Sequence, residues 1–564
     1  MIAGQTLLQK AQLDERQLRL AREALSTDGR LDRAAGELGF ANEDDALAAV
    51  GEALGLELID LANAEIDLAL LGQFPVKLIH QYGIFPVRSQ DDSLVVATGD
   101  PFDLHALDAA SAATGRSIVP VLASQAELAK LIKTHLGVGA ETVDGLLAQR
   151  EEQGGVEVLE ELEWDRSEAS EMAQEPSVVR LVNEILSEAV EAHASDIHIE
   201  SQAAGIKIRY RIDGVLQLQP MPSEINRFQA AIISRLKIMA KLNIAEKRIP
   251  QDGRIKLKVS GREIDIRLSI IPMLHGEGIV MRILDKDRMK FSLRGVGMDE
   301  EIYAQFSQLI KLPHGIILVT GPTGSGKTTS LYSALNEIKN EEIKIITTED
   351  PVEYQLEGIN QIQVHNKVGL TFAASLRSIL RHDPDVVLVG EIRDLETAEN
   401  AIQASLTGHL VFSTLHTNDA ASAFMRLVDM GVEPFLVSST VSGVMAQRLV
   451  RVLCTECREE YIPRPAEVPA DFPLDELLAK GTKLYRPVGC RRCRGKGYAG
   501  RVGLYELLVT NDEIRQLAGE RIASHKIKQA AMKAGMCTLR QDGWIKVARG
   551  QTTIDEVMRV TGAD

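Results

Sequence analysis

The chain has 564 residues, of which 45% are hydrophobic and 25% charged, and its formal net charge is −17. A chain of this length forms several globular domains, because single cores seldom grow beyond a few hundred residues. No stretch approaches the roughly 18 consecutive apolar residues of a membrane-spanning helix, no secretory signal is visible at the N-terminus, and the acidic balance argues against a protein that coats nucleic acid. We therefore expect a cytoplasmic protein that reaches membranes through partners.

Residues 1–140 predict a mixed N-terminal domain, and residues 141–176 an acidic linker. Apolar residues at helical spacing predict helices up to about residue 65. The stretches YGIFPVRS and DSLVVATGD predict strands, and a further helix and strand follow, up to about residue 138. Residues 141–175 carry twelve acidic residues and two arginines. Because few of these residues could pack into a core, the segment predicts a solvated tether between domains.

Residues 177–300 predict an α+β domain with one cationic sheet face. A helix from about Ser177 precedes strands in which isoleucines alternate with charged residues, as in IKIRYRID and EIDIRLSI. An arginine-rich face on an acidic protein is suited to an anion, and arginines solvated on an exposed sheet are the alternative. The arginines concerned are Arg209, Arg211, Arg267 and, in a third strand, Arg282.

Residues 301–564 alternate short apolar strands with helices, which is typical of a parallel sheet covered on both faces. Directly after the strand GIILVT, the stretch GPTGSGKTTS fits the phosphate-binding loop of nucleotide-binding proteins. We expect Lys327 to reach the β and γ phosphates of ATP and Thr328 to bind Mg²⁺. The predicted nucleotide-binding residues of this loop are Gly321, Pro322, Thr323, Gly324, Ser325, Gly326, Lys327, Thr328 and Thr329.

Acidic residues follow two strands that are predicted to end at the same edge of this sheet. Because the C-terminal ends of parallel strands meet at the ligand crevice, we expect these acids to hold magnesium or to activate water. Which of Glu353 and Glu391 accepts the proton stays open. His409 and His416 flank the strand LVFST and are candidates for sensing the γ-phosphate. The acidic candidates are Glu349, Asp350, Glu353 and, where an aspartate would be usual, Glu391.

Four of the five cysteines form two Cys-x-x-Cys pairs. In a reducing compartment such pairs predict a tetrahedral zinc site with no open position, which is structural rather than catalytic. A redox pair is the alternative. The interval between the pairs predicts an inserted hairpin or short helix. The predicted zinc ligands are Cys454, Cys457, Cys490 and Cys493.

Two long stretches resemble a known ATPase family. LRSILRHDPDVVLVGEIRD, residues 376–394, and TGHLVFSTLHTN, residues 407–418, are similar to the signature of the GspE/PulE ATPases of type II secretion and their relatives in type IV pilus assembly. The resemblance extends over about residues 177–564. It implies a RecA-like core that acts as a homohexamer and converts ATP hydrolysis into rotation of an inner-membrane platform protein, so that pilin-like subunits are extruded.

The family motifs imply roles for individual residues. Arg267 and Arg282 match arginines that approach the phosphates from a preceding PAS-like α+β domain, and with Glu353 and Glu391 they are the predicted catalytic residues. The resemblance also identifies a Walker A motif at residues 321–328, an Asp box at residues 349–353, a Walker B motif ending at Glu391 and a His box containing His409 and His416.

The tetracysteine region, residues 451–500, is similar to the zinc subdomain of the secretion and pilus-assembly branches. Pilus-retraction relatives lack this subdomain, so the resemblance favours extension. The leading hypothesis is therefore a motor ATPase of type II secretion, with a type IV pilus extension ATPase as the alternative. A non-hydrolysing nucleotide-binding scaffold and a translocase on single-stranded DNA are remote alternatives, and the aromatic content of 4% argues against the translocase.

The N-terminal region resembles the family only weakly, and it is expected to dock a membrane-anchored partner. Relatives that bind cyclic di-GMP carry two copies of a segment that begins Arg-Leu-Gly and ends in glutamine. Here the first copy lacks that opening, and the second reads Arg30-Leu31-Asp32 with Ala53 in place of the glutamine. These departures argue against cyclic di-GMP binding.

Overall fold

The structure is a computed structural model that divides into two compact units, Met1–Asp285 and Lys286–Asp564. Within the described part of the chain, no helix is long and apolar enough to cross a membrane. Arg30, Leu31 and Asp32 lie outside the described residues. The structure describes residues 15–28, 40, 43–61, 64, 66–90, 93–136, 156–158, 173–221, 223–285, 291–464 and 468–562.

The first unit begins with helices and a small three-stranded sheet. The sheet has the order β1-β2-β3, with β1 antiparallel and β3 parallel to β2. Both predicted strands form, but α2 ends at Leu54, earlier than predicted, because Gly55 turns the chain with a left-handed φ of 70°. The elements are α1 (Glu15–Asp28), α2 (Glu43–Leu54), a 3₁₀ turn (Leu68–Gly72), α3 (Val76–Tyr82), β1 (Ile84–Gln90), β2 (Ser93–Thr98), α4 (Leu104–Thr114), β3 (Ser117–Leu122) and α5 (Gln125–Leu136).

A seven-stranded antiparallel sheet follows in the same unit, in the order β4-β8-β9-β10-β5-β6-β7. Ile208, Ile266 and Ile270 are fully buried in one core with residues of α6 and α7, which confirms the predicted apolar face. The elements are β4 (Val156–Val158), α6 (Pro176–Glu191), β5 (Asp196–Gln202), β6 (Gly205–Ile212), β7 (Val215–Leu218), a 3₁₀ turn (Ser223–Phe228), α7 (Gln229–Met239), β8 (Gln251–Val259), β9 (Arg262–Met273) and β10 (Gly276–Asp285).

Most of the acidic segment lies outside the described residues, but three of its residues form β4. This strand pairs antiparallel with β8, Val156 opposite Val259 and Val158 opposite Leu257. Two valines around one glutamate favour the extended backbone. This part of the predicted linker is therefore a sheet strand.

The second unit contains a seven-stranded sheet in the order β13-β12-β14-β15-β11-β16-β19. Neighbouring strands are parallel except β16 and β19. Its strands are β11 (Gly315–Thr320), β12 (Ile345–Glu349), β13 (Asn360–Gln363), β14 (Val386–Val389), β15 (Leu410–Leu415), β16 (Val441–Leu453) and β19 (Tyr498–Val509), and β17 (Glu459–Tyr461) and β18 (Leu484–Arg486) form a separate two-stranded sheet.

Helices cover both faces of this sheet, as predicted. Successive residues of β11 pack into two hydrophobic cores on opposite faces of the sheet. Ile316 and Leu318 belong to one core, and Ile317 and Val319 belong to the other. A strand buried on both faces reads as a continuous apolar run, which is why GIILVT was recognisable. The helices are α8 (Glu300–Leu309), α9 (Lys327–Ile338), a 3₁₀ turn (Asn366–Val368), α10 (Phe372–Ile379), α11 (Leu395–Leu406), α12 (Ser422–Asp429) and α13 (Pro434–Thr440).

The tetracysteine region is inserted between β16 and β19. Between its cysteine pairs lie the antiparallel strands β17 and β18 and the short helix α14, so both predicted kinds of insertion are present. The rest of the unit is helical, as predicted. These helices are α14 (Leu474–Ala479), α15 (Asp512–Gly519), α16 (Ser524–Lys533), α17 (Leu539–Ala548) and α18 (Ile554–Thr561).

Candidate functional site

The phosphate-binding loop connects β11 to α9, whose first residue is Lys327. Gly321, Gly324 and Gly326 have φ values of 147°, 79° and 89°, which favour glycine. A Cβ atom on Gly321 would lie 2.5 Å from the carbonyl oxygen of Gln447, so this position also requires glycine for space. The loop therefore curls around the N-terminus of α9, where N–H groups and the helix dipole favour an anion.

The side chain of Lys327 lies against its own loop. Its Nζ donates to the carbonyl oxygens of Gly321 at 2.8 Å and Pro322 at 3.1 Å. Burial lowers the pKa of Lys327, and the charge of Arg448 adds to this effect while Glu391 opposes it. Thr328 and Thr329 follow in the first turn of α9, and Thr328 is exposed. The loop thus holds a cation and an exposed hydroxyl at the helix start.

Glu391 and His416 lie together at the C-terminal edge of the sheet. The Nε2 atom of His416 is 3.4 Å from Oε2 of Glu391, and Arg393 forms an ion pair with the other carboxylate oxygen. This ion pair raises the pKa of Arg393. Thr320 of β11 pairs with Leu415, the residue before His416, so the histidine and the phosphate-binding loop leave the same edge. Arg393 had not been predicted from sequence.

Gly390, which stands where an aspartate would be usual, has little room for a side chain. A Cβ atom on Gly390 would lie 3.2 Å from the carbonyl oxygen of Thr348, to which the Gly390 N–H donates. Thr414 donates to the Gly390 carbonyl at 2.7 Å, and the Ile392 N–H donates to Thr414. Hydrogen bonds to Thr348 and Thr414, on the two neighbouring strands, therefore hold the backbone of residues 390–392 as the chain leaves β14. Glu391 is the first acidic side chain after this strand.

Glu349 is buried and serves as a hydrogen-bond acceptor inside the domain. It accepts from the Tyr332 hydroxyl, from Thr347 Oγ1 at 2.6 Å and from Gln361 Nε2 at 3.1 Å. Burial and this neighbouring carboxylate raise the pKa of Tyr332. The carboxylate of Glu349 thus joins β12 to α9 and β13. Asp350, which is exposed, and Glu353, which is partly buried, follow in the loop after β12.

The structure does not bring His409 to the edge that carries the phosphate-binding loop. His409 precedes β15, whereas His416 follows it, and the six residues between them span roughly 20 Å at about 3.3 Å per residue. The Nδ1 atom of His409 lies 2.9 Å from the carbonyl oxygen of Ala404, at the end of α11, and 3.1 Å from Thr407 Oγ1. These contacts connect α11 to β15.

Arg267 and Arg282 lie side by side on the sheet of the first unit. They are paired across β9 and β10, and Arg254 of β8 pairs with Arg267 on its other side. Arg282 Nε donates to Asp196 at 3.2 Å, and Arg211 Nε lies 3.5 Å from the second oxygen of that carboxylate. Arg254, which had not been predicted, therefore extends the predicted pair into a row of arginines.

The four predicted zinc ligands meet. All their sulfur atoms lie within 4.8 Å of one another, with Cys454 and Cys490 3.8 Å apart and Cys457 and Cys493 3.7 Å apart. A zinc ion about 2.3 Å from each of four sulfurs requires sulfur–sulfur distances of roughly 3.8 Å, whereas a disulfide requires about 2 Å. The arrangement fits a tetrahedral zinc site.

Backbone N–H groups support the charged form of one ligand. Burial opposes ionisation of Cys493, but the N–H groups of Cys490 and Gly497 each donate to its sulfur at 3.1 Å. They lower the pKa of Cys493 to about 7. A thiolate that is already stabilised by backbone donors is a suitable zinc ligand, because zinc binds the deprotonated sulfur.

Comparison with known proteins identifies the family. The sequence profile described as "Type II/IV secretion system protein" matches residues 171–559, more than half of the chain. The chain belongs to this family. A second profile, "MshEN domain", matches residues 54–142.

Two relatives align with almost the whole chain. "Type II secretion system protein E" of Xanthomonas campestris is 44% identical over 99% of this chain and 98% of its own length. "Type IV pilus assembly ATPase PilB" of Myxococcus xanthus is 40% identical over 100% of this chain and 99% of its own length.

A solved structure supports the fold. The ATPase DotB of Legionella pneumophila aligns with 68% of this chain and 95% of its own, with a TM-score of 0.50. Its sequence identity is 22%, so this likeness shows the fold alone. The predicted RecA-like fold and the predicted activity, that of an ATP-hydrolysing secretion or pilus-assembly protein, are confirmed.

Proposed function

We propose that this protein is the motor ATPase of a type II secretion machine, in which ATP hydrolysis drives the assembly of pilin-like subunits. The observation that carries this proposal is the joint placement of the phosphate-binding loop, Glu391 and His416 at one sheet edge. The full-length likeness to protein E of Xanthomonas campestris favours type II secretion. The similarly complete likeness to the pilus assembly ATPase of Myxococcus xanthus makes pilus extension the second candidate.

Deletion of the gene in the source bacterium distinguishes these two machines. We expect exported enzymes to disappear from the culture medium and to accumulate in the periplasm, while surface pili remain. Restoring the gene should restore export. Loss of pili with normal export would instead assign the protein to pilus extension, and loss of neither would contradict both assignments.

In the proposed mechanism, Lys327 leaves the carbonyl groups of Gly321 and Pro322 and donates to the β and γ phosphates of ATP. The hydroxyl of Thr328 would hold Mg²⁺, which would supply neutralisation of the phosphate charge when bound. Glu391 orients the attacking water. His416 senses the presence of the γ-phosphate and passes this on through its contact with Glu391. Arg267 and Arg282 supply positive charge to the transition state. Glu349, given its three hydrogen bonds, supports this site from within the domain.

Glu391→Gln should lower kcat by about 10²- to 10⁴-fold, because a neutral amide neither accepts a proton nor orients water as a carboxylate does. Binding of ATP should persist, since the phosphate-binding loop is unchanged. The measurement is phosphate release, with nucleotide binding followed separately. Glu353→Gln is the companion variant: a comparable loss identifies a shared role, whereas full activity of Glu391→Gln with an inactive Glu353→Gln would transfer the proposed role to Glu353.

We also propose that the tetracysteine region binds one structural zinc ion per chain. Elemental analysis of the purified protein should find about one zinc per chain, and the double variant Cys454→Ser, Cys457→Ser should lose it. Cys537→Ser is the control, because Cys537 is not part of the cysteine cluster, and it should retain the metal. A folded wild-type protein without zinc would contradict this assignment.

The remaining proposals concern assembly and location. We propose that the protein acts as a homohexamer in the cytoplasm and contacts the inner membrane through a platform protein. The N-terminal domain of residues 1–140 would dock a membrane-anchored partner, and its departures from the relatives' segments argue against cyclic di-GMP binding. The family resemblance supports the homohexamer and the contact with the platform protein. The replacement of the expected glutamine by Ala53 is the observation against cyclic di-GMP binding.

A further inference from the structure

Arg448 lies beside the start of the phosphate-binding loop although it comes from a different strand. β16 runs parallel to β11, with Ala446 opposite Thr320, so Gln447 and Arg448 continue alongside Gly321. A Cβ atom on Gly321 would lie 3.1 Å from Arg448 Nη1. The guanidinium of Arg448 therefore lies close to the first glycine of the loop.

The guanidinium of Arg448 connects this point to the segment that follows β15. Its Nη1 donates to the carbonyl oxygen of Gln447 at 3.2 Å, and its Nη2 donates to both the carbonyl and the side-chain oxygen of Asn418 at 3.1 Å. Asn418 is two residues beyond His416, whose ring contacts Glu391. The guanidinium thus binds Asn418 in the segment after β15 and the carbonyl group of its own neighbour Gln447, which is the group packed against Gly321, and a planar cation with several donors is suited to this task.

A second contact holds the same two segments together. The Thr417 N–H donates to Thr320 Oγ1 at 2.9 Å, and the two threonine hydroxyl oxygens lie 2.6 Å apart. The segment of residues 416–418 is therefore attached to the end of β11 through Thr320 and to β16 through Arg448. The carbonyl group of Gln447, which Arg448 also binds, packs against Gly321, so the first glycine of the loop and residues 416–418 lie on two sides of the same arginine.

Acidic groups also influence the charge of Arg448. Burial lowers its pKa, but the carboxylates of Glu506 and Asp419 oppose this effect. Glu506 is itself buried, which raises its own pKa, and it accepts from the Ala420 N–H at 2.9 Å in the continuation of the same segment. The hydrogen bonds to Asn418 and Gln447 hold the guanidinium, and the nearby acidic groups favour its charged form.

We propose that Arg448 is a positioning residue that couples the phosphate-binding loop to residues 416–418 and thereby sets His416 and Glu391 against the bound nucleotide. This inference rests on the proposed roles of His416 and Glu391. Loss of Arg448 should misplace these groups by a small distance while leaving the phosphate-binding loop able to hold nucleotide. The effect should therefore fall on kcat rather than on nucleotide affinity.

The test compares Arg448→Ala, Arg448→Lys and a matched control in the full chain. We expect Arg448→Ala to lower kcat by about 10- to 100-fold, as a misplacement near 1 Å does, with affinity for ADP within about threefold of wild type and a smaller kcat loss for Arg448→Lys. Arg515→Ala is the control, because Arg515 also donates to two carbonyl oxygens, those of Ser438 at 2.9 Å and Ser439 at 3.2 Å. It should keep the wild-type kcat.

A double variant separates positioning from a general structural effect. In a His416→Ala background, Arg448→Ala should lower kcat by less than about threefold further, because groups that act as a unit are not additive. Full additivity, unchanged kcat in a folded Arg448→Ala, or equal losses in the Arg448 and Arg515 variants would overturn the inference. If Glu391→Gln keeps full activity, the proposed catalytic role fails, whereas Arg448 can still be judged by its coupling to His416.

Discussion

Replacing Lys327 with alanine should abolish measurable ATP hydrolysis. The Nζ atom lies within the curled loop, bound to the carbonyl oxygens of Gly321 and Pro322, so it has only a short way to turn when it exchanges these acceptors for phosphate oxygens. Removing the cation of such a site should lower kcat by about 10³-fold or more. Phosphate release measured under saturating ATP is the direct test.

Lys339→Ala is the matched control for this variant, because Lys339 caps the other end of the same helix. Its Nζ donates to the carbonyl oxygen of Glu357 at 3.1 Å in an exposed setting, so we expect wild-type turnover. Unfolding by heat should show that both variants remain folded. Normal hydrolysis by a folded Lys327→Ala would refute the assignment of the phosphate site, whereas an equal loss in both variants would indicate damage to α9.

The sequence predicted those parts of the fold in which the pattern is local. The phosphate-binding loop needs glycines at fixed positions between an apolar strand and a helix, and Gly321 and Gly326 meet that need through backbone geometry alone. The two cysteine pairs are similarly informative, since each pair forms its own turn. The alternation of apolar with polar or charged residues likewise identified the buried face of β9, because successive strand residues point to opposite faces.

Side-chain partners that depend on distant residues could not be predicted. Glu349, like Glu391, was predicted to lie in the site because it stands at the end of a strand. Tyr332 and Gln361, from other elements, donate hydrogen bonds to its carboxylate and bury it. His409 lies at the N-terminal end of β15, away from the phosphate-binding loop, because direction along a parallel sheet decides which edge a residue occupies. Arg448 lacked a recognisable motif altogether, since its importance depends on the register of β16 against β11.

The row of arginines on the first unit's sheet is a further feature that only strand register reveals. Arg254, Arg267 and Arg282 come from three strands and face the same side because they are directly paired. Like charges placed opposite one another destabilise a sheet. The carboxylates of Asp196 and Asp265 offset part of this cost through ion pairs with Arg282 and Arg254. A sheet that tolerates such a row is suited to binding an anion on that face.

Arg282→Ala should lower ATP hydrolysis by about 10³- to 10⁵-fold, the effect of losing an arginine finger in other nucleotide hydrolases, and Arg267→Ala should behave similarly. The guanidinium of Arg282 is half exposed although Asp196 holds its Nε, so its orientation is fixed while much of its surface faces outward. Phosphate release is the measurement, and the affinity for ADP should change far less than kcat.

Arg262→Ala is the matched control for Arg282→Ala, because it also removes an arginine–aspartate pair from this sheet. Arg262 Nη1 lies 2.9 Å from Asp285, across the same pair of strands, but Arg262 is not in the row of arginines. We expect its hydrolysis rate to stay near that of wild type. Equal losses in the two variants would point to sheet stability, whereas a normal rate in a folded Arg282→Ala would mean that the cationic face binds an anion other than the nucleotide.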